Sequence, residues 1–155
     1  MTPAIRLAKK AKIDYRLHEY SHDSSADSYG LEAAQKLGVQ SERVFKTLVV
    51  EYEVNKFGIG VVPVTAQLSL KSIAKALGGK KANMAQPHDV EKITGYVLGG
   101  VSPLGQKRAL KTVIDSSANL HETLFVSGGK RGLEIELSPS DLLKLTNGNY
   151  AQIQG

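Results

Sequence analysis

Cysteine and tryptophan are both missing from the 155 residues, aromatic residues make up 6%, and there are 5 prolines. Without cysteine the chain has no disulfide, no thiolate zinc site and no cysteine nucleophile, and a reducing cytoplasm is the expected compartment. With so few aromatic rings, a broad platform for stacking bases is not expected. No apolar run approaches the ~20 residues of a membrane-spanning helix. The opening Met1-Thr2-Pro3-Ala4-Ile5-Arg6 reads as an amphipathic segment rather than a signal peptide. Internal repeats, low-complexity tracts and long linkers are missing too, so residues 1–155 are expected to form a single domain.

What is present is a globular composition with a basic excess. The chain is 41% hydrophobic and 23% charged, too apolar for a disordered tail. Its net charge of +5 comes from 20 Lys and Arg against 15 Asp and Glu. The excess is clustered in three islands: Lys71, Lys75, Lys80 and Lys81; Lys107, Arg108 and Lys111; and Lys130 with Arg131. Such islands suit an anionic partner, although Lys71 and Lys75 equally fit the solvated face of a helix.

Helical spacing of Ile5, Leu7, Ala8 and Ala11 predicts a helix over 3–12, capped by Thr2 with Pro3 at its first position. An alternating strand follows over 15–20, a polar loop over 21–29, and a helix over about 30–37 that Gly38 stops. The β-branched runs 44–54 and 57–64 read as a hairpin turning at Asn55-Lys56. Ser69 caps a helix striped by Leu70, Ile73, Ala74 and Leu77, ended by Gly78. A short strand is expected at 81–85, a short helix after Pro87, and strands at 96–98, 111–114, 122–126 and 133–137. A last helix begins at Ser138-Pro139. Strands outnumber helices without regular βαβ alternation, which points to an α+β fold with a mixed, curved sheet and a barrel-like core.

Several chemistries are excluded by near-misses. The run from Gly100 to Lys107 has P-loop glycine spacing, but Gln106 stands where the lysine is needed. No glycine closes a nucleophile elbow after Ser102, and Pro63 breaks any dinucleotide fingerprint at Gly58-Ile59-Gly60. His18 and His22 fall on a strand and a loop rather than one helix face, which argues against a metal pair, and no cofactor is implied. One residue stands out. Lys46 interrupts the apolar strand 44–50, sharing a face with Val44, Leu48 and Val50, so it lies either at a sheet edge or in a pocket as an anion anchor. Two glycine-rich loops, Gly99-Gly100-Val101-Ser102-Pro103 and Ser127-Gly128-Gly129-Lys130-Arg131-Gly132, offer backbone N–H groups to an anion or oxyanion.

Taken in order, Met1-Thr2-Pro3-Ala4, Phe45-Lys46-Thr47-Leu48, the run Thr94 to Gln106, Thr112-Val113-Ile114-Asp115 and the run Val126 to Leu133 resemble the YbaK family, relatives of the bacterial prolyl-tRNA synthetase editing domain. The resemblance implies a deacylase that clears Cys-tRNA(Pro), with Cys-tRNA(Cys) as a further substrate. It also implies a transient complex with prolyl-tRNA synthetase. Lys46 matches the family lysine expected to engage the 3′-terminal adenosine and its phosphate, and Gly99 opens the loop, ending at Pro103, whose backbone meets the substrate carbonyl. Tyr20, Thr47 and Ser127 match pocket positions, with Gly100, Ser102, Pro103, Gly129 and Arg131 completing the expected binding set. Tyr29 stands where Phe is expected and Glu134 where relatives carry Asp, so a longer carboxyl enters the amino-acid pocket. The implied nucleophile is the substrate's own thiol. Two alternatives stay open: an Ala-tRNA(Pro) deacylase that uses water, and a non-catalytic module that binds RNA ends or a synthetase.

Overall fold

The computed structural model describes residues 1–23 and 28–155; the polar loop expected over 21–29 lies partly outside the described residues, at 24–27. Helix α1 (Pro3–Ala11) starts behind Thr2, whose hydroxyl accepts the Ile5 N–H, and Lys12 closes it at φ 57°. Strand β1 (Tyr15–Glu19) leads to α2 (Tyr29–Leu37), capped by Ser28 and ended by left-handed Gly38. Strands β2 (Phe45–Glu53) and β3 (Lys56–Pro63) form the expected hairpin, and Asn55 supplies the positive φ that the turn requires. Helix α3 (Leu70–Leu77) runs from its Ser69 cap to Gly78 as the sequence predicts.

The remaining elements are β4 (Asn83–Met84), α4 (Pro87–Thr94), β5 (Lys111–Asp115), β6 (Leu124–Ser127), β7 (Leu133–Leu137), α5 (Pro139–Thr146) and β8 (Asn149–Ala151). The strand expected at 96–98 does not form. There the Thr94 hydroxyl accepts the Tyr96 N–H at 3.1 Å, the Tyr96 ring turns into the core, and its hydroxyl donates to the Leu104 carbonyl at 2.6 Å. Those side-chain bonds replace a ladder and leave Val97 and Leu98 exposed. The strand expected at 81–85 shrinks to two residues, the one at 122–126 begins only at Leu124, and β8 carries too few residues to have announced itself.

The strands form two sheets. One is antiparallel in the order β1-β7-β6; the other is mixed, β4-β2-β3-β5-β8, with parallel pairing at β3/β5 and β5/β8. They meet at an isolated parallel bridge between Val44 and Phe125. The α+β class and mixed sheet are as expected, but the two sheets are not closed into a barrel. The main core packs Phe45, Val49, Ile59 and Val61 from one sheet against Leu124, Val126, Leu133 and Ile135 from the other. Burying each such side chain is worth about 1.5–3 kcal/mol. Helix α3 covers the outer face of the larger sheet, and α2 caps the junction through Ala33, Ala34, Val44 and Phe125. Because Leu133, Ile135 and Leu137 face the core, alternation turns Glu134 and Glu136 to the other face of β7.

Candidate active site

A cavity of about 290 Å³ opens where the sheets meet, lined by Tyr20, Ser28, Tyr29, Gly30, residues 44–48, Leu98, Gly99, Val101, Ser127 and Glu134. It lies against β2 between the bridge at Val44 and the short pairing with β4 at Val50 and Glu51, a stretch that has β3 on one side only. Both faces of the strand therefore contribute to the lining. Lys46 is at once an edge residue and a pocket residue, so the two sequence alternatives coincide.

The cavity's polar groups are unusually free. Lys46 is half-buried, has no acid within ion-pairing distance among the described residues, and burial lowers its pKa. The Thr47 hydroxyl is buried without a hydrogen-bond partner. Glu134 is 7% exposed, and burial pushes its carboxyl up to about 8, which keeps it protonated at neutral pH. Burial raises the Tyr20 phenol as well, and the neighbouring Glu134 adds to that shift. Unsatisfied groups cost about 1–3 kcal/mol each on burial, so a ligand or water that supplies the missing partner is favoured there.

Tyr29 is held at the mouth by a stack. The Arg131 guanidinium lies 4.0 Å from its ring centroid, and the His22 ring sits 5.5 Å away in a tilted arrangement. Arg131 also donates to the Leu98 carbonyl at 3.4 Å. Gly99 lies beneath this stack at φ 89°, where an added Cβ would stand 2.4 Å from Arg131 Nε and 2.9 Å from Tyr29 Cε2. Below Tyr29, buried Glu32 accepts from the His22 ring at 2.7 Å and the Asp23 N–H at 2.6 Å. Burial pushes the Glu32 carboxyl up, but these bonds and Lys36 outweigh it and hold it low.

The structure brings Tyr20, Tyr29, Lys46, Thr47, Gly99, Ser127 and Glu134 to the cavity and puts Arg131 at its rim. The other four stand behind the wall. Ser102 is fully buried with its hydroxyl accepting the Leu104 N–H, Pro103 is buried beside it, Gly100 packs on the Lys130 backbone, and Gly129 packs on Thr2 and Tyr96. Sequence reasoning missed the apolar lining of Leu48, Leu98 and Val101, although each is a near neighbour of a residue it singled out.

Among the described residues no side chain here is an armed nucleophile. Ser127 and His18 both pair in register with Glu134, from opposite sides of β7. Two strand spacings, about 9–10 Å, therefore separate them, too far for a Ser–His pair. Ser127 accepts the Gly129 N–H at 3.1 Å, and His18 is bound to Glu136 at 2.9 Å. Glu136 also takes Thr123 at 2.6 Å and Arg43 at 3.4 Å, a closed network apart from the cavity. His18 and His22 serve different carboxylates, and among the described residues no group of three His, Asp or Glu is placed to hold a metal ion.

The family model of the aminoacyl-tRNA editing domain matches residues 24–145. A protein of Enterococcus faecalis, provisionally named the Cys-tRNA(Pro)/Cys-tRNA(Cys) deacylase EbsC, is 41% identical over 155 residues, covering 98% of this chain and 92% of that protein. The multifunctional Ser/Thr-tRNA deacylase ProXp-y of Escherichia coli K12 is 32% identical over 62 residues, 40% of this chain and 37% of that one. Among solved structures, one provisionally described as a trans-editing enzyme for prolyl tRNA synthetase superposes with a TM-score of 0.84 at 24% identity. That match covers 100% of this chain and 99% of the other, a likeness of fold.

Proposed function

The chain belongs to the aminoacyl-tRNA editing domain family, and from that premise we propose that residues 1–155 form one editing domain that deacylates Cys-tRNA(Pro) in trans, with Cys-tRNA(Cys) as a second substrate. The observation that carries this reading is the unpaired cation: among the described residues Lys46 keeps a half-buried ammonium without a counter-ion, in a cavity where none of them is an armed nucleophile. A buried cation with an anionic ligand to come suits the phosphate and terminal adenosine of a tRNA 3′ end.

The chemistry then falls to the substrate. Its cysteine sulfur bonds to its own ester carbonyl, the ester bond to the terminal ribose breaks, and the thiol proton ends on the ribose oxygen. The products are a cyclic thiolactone and free tRNA. The cavity contributes proximity, worth several kcal/mol. Backbone N–H groups of the Gly99 loop take the developing oxyanion, and Tyr20, Thr47, Ser127 and Glu134 orient the aminoacyl group. A +5 chain contacts phosphates without reading sequence, so a transient complex with prolyl-tRNA synthetase supplies the choice of tRNA.

The test is Lys46→Ala. Deacylation of Cys-tRNA(Pro) should fall at least a hundredfold, with Lys46→Arg rescuing poorly because the guanidinium is wider and planar. The melting temperature should hold or rise, because burial disfavours the charged amine in the folded state. Near-wild-type turnover by Lys46→Ala would remove the lysine from the site.

A further inference from the structure

The sequence offers three basic islands, and the fold sorts them. Lys111 leaves its island: its amine donates to the Leu77 carbonyl at 3.2 Å, at the last turn of α3. Lys71 and Lys75 on α3, with Lys80 and Lys81 beyond it, stand over the outer face of the larger sheet, where α3 packs. Tyr96, Val101 and Leu104 belong to the core on the opposite face. The Gly99 wall of the cavity is thus continuous with the second side, away from α3.

On that side three chain segments converge on Tyr96. The Thr2 hydroxyl donates to the Gly128 carbonyl, and Gly129 packs on both Thr2 and Tyr96. Gly105 packs on the backbone of Pro3, and the Lys107 and Arg108 N–H groups donate to the Thr94 and Ile93 carbonyls at 2.9 and 3.1 Å. Arg6 lies near enough for its charge to act on the Tyr96 phenol. Arg6, Lys107, Arg108, Lys130 and Arg131 are therefore gathered from three segments onto one ridge. All five are exposed, and none forms an ion pair among the described residues. The ridge begins at the cavity mouth, since Lys130 backs Gly100 and Arg131 stacks on Tyr29.

We infer that this ridge, and not the α3 face, is the track for the acceptor-arm phosphates of the tRNA whose 3′ end enters the cavity. The inference rests on the reading of the substrate as an aminoacyl-tRNA. Unpaired exposed cations at one mouth of a site raise the local concentration of a polyanion and fix its direction of approach. With the 3′ end at Lys46, a duplex leaving past Arg131 meets Lys130 and then Arg6, Lys107 and Arg108. Among the described residues no α3 residue lines the cavity, whereas Arg131 stacks on Tyr29 at its mouth.

The experiment compares Lys107→Ser/Arg108→Ser/Lys130→Ser with Lys71→Ser/Lys75→Ser, every site exposed and outside the cavity. Binding of uncharged tRNA(Pro) is measured between 50 and 300 mM NaCl, on the order of the range over which phosphate contacts are lost. Alongside it, kcat/KM is measured on Cys-tRNA(Pro) and on a 3′-cysteinyl adenosine ester. The ridge triple should weaken tRNA binding at least tenfold at low salt and flatten the log–log salt slope by about 2–3, near one unit per lost contact. Its loss of kcat/KM should be at least fivefold greater on tRNA than on the adenosine ester. The α3 double should stay within about twofold of wild type. An α3 double that loses as much as the triple, or a triple that binds like wild type, overturns the inference. Wild type that cleaves the tRNA ester while binding ignores the ridge leaves the proposed function standing without it. Ridge-dependent binding without any ester cleavage does the reverse.

Discussion

Thr47 is the most economical residue on which to test what the cavity is for. Its hydroxyl is buried and unpartnered, so Thr47→Val removes a desolvated polar group while keeping the shape of the side chain. The melting temperature should stay level or rise by a few degrees while deacylation falls by tenfold or so, as measured by thermal unfolding and initial rates on one preparation. A drop in stability with activity intact would mean the hydroxyl is a packing feature. Glu134 makes the complementary case through pH. Its folded pKa of about 8 lies above the ordinary carboxylate value of 4.5, so between those two pH values the folded state holds a proton that the unfolded state has lost. Its contribution is fully present below the unfolded pKa and is lost as pH rises through the folded pKa. The difference in melting temperature, Glu134→Gln minus wild type, should therefore grow steadily from pH 5 to 8. A flat difference would place an ionised carboxylate in the cavity.

The local signals for the elements were strong where side-chain chemistry and backbone agreed. Thr2, Ser28, Ser69 and Ser138 each accept an N–H in the first turn of a helix, and Gly38 and Gly78 each end one in the left-handed conformation. The run after Thr94 misled because Tyr96-Val97-Leu98 has the composition of a strand, while side-chain bonds at Thr94 and Tyr96 and the Lys107 N–H on the Thr94 carbonyl decide its path. The same cause limits how much of the site was legible. Lys46 stood out in its strand, but Ser102 and Pro103 share a loop with Gly99 and face the interior. Composition does not say which way a loop residue points. That loop carries its own prediction. At φ 89°, Gly99→Ala incurs roughly 1 kcal/mol or more of backbone strain and displaces Arg131 and Tyr29. It should cut turnover at least tenfold while lowering the melting temperature by only about 2–4 °C, the shift expected of about 1 kcal/mol in a chain of this size. Collapse of stability with normal activity in the folded fraction would make the loop structural.

At the scale of the molecule, two sheets that meet at one bridge leave a gap between them, and α2 and the Gly99 loop turn that gap into a closed-sided cavity. On the proposed reading the fold supplies a scaffold, a cation and polar groups that lack partners among the described residues, and leaves the reactive atom to the substrate. That division of labour is the central claim, and one comparison tests it most directly: single-turnover rates of the wild-type protein on tRNA(Pro) charged with cysteine and with serine. The two esters differ only in sulfur for oxygen, so tRNA contacts cancel and the side chains stay close in shape. The account predicts release of tRNA from the cysteinyl ester at least a hundredfold faster, with a thiolactone or its hydrolysis product as the acyl fragment. Equal rates on the two esters would contradict it and point to water as the nucleophile.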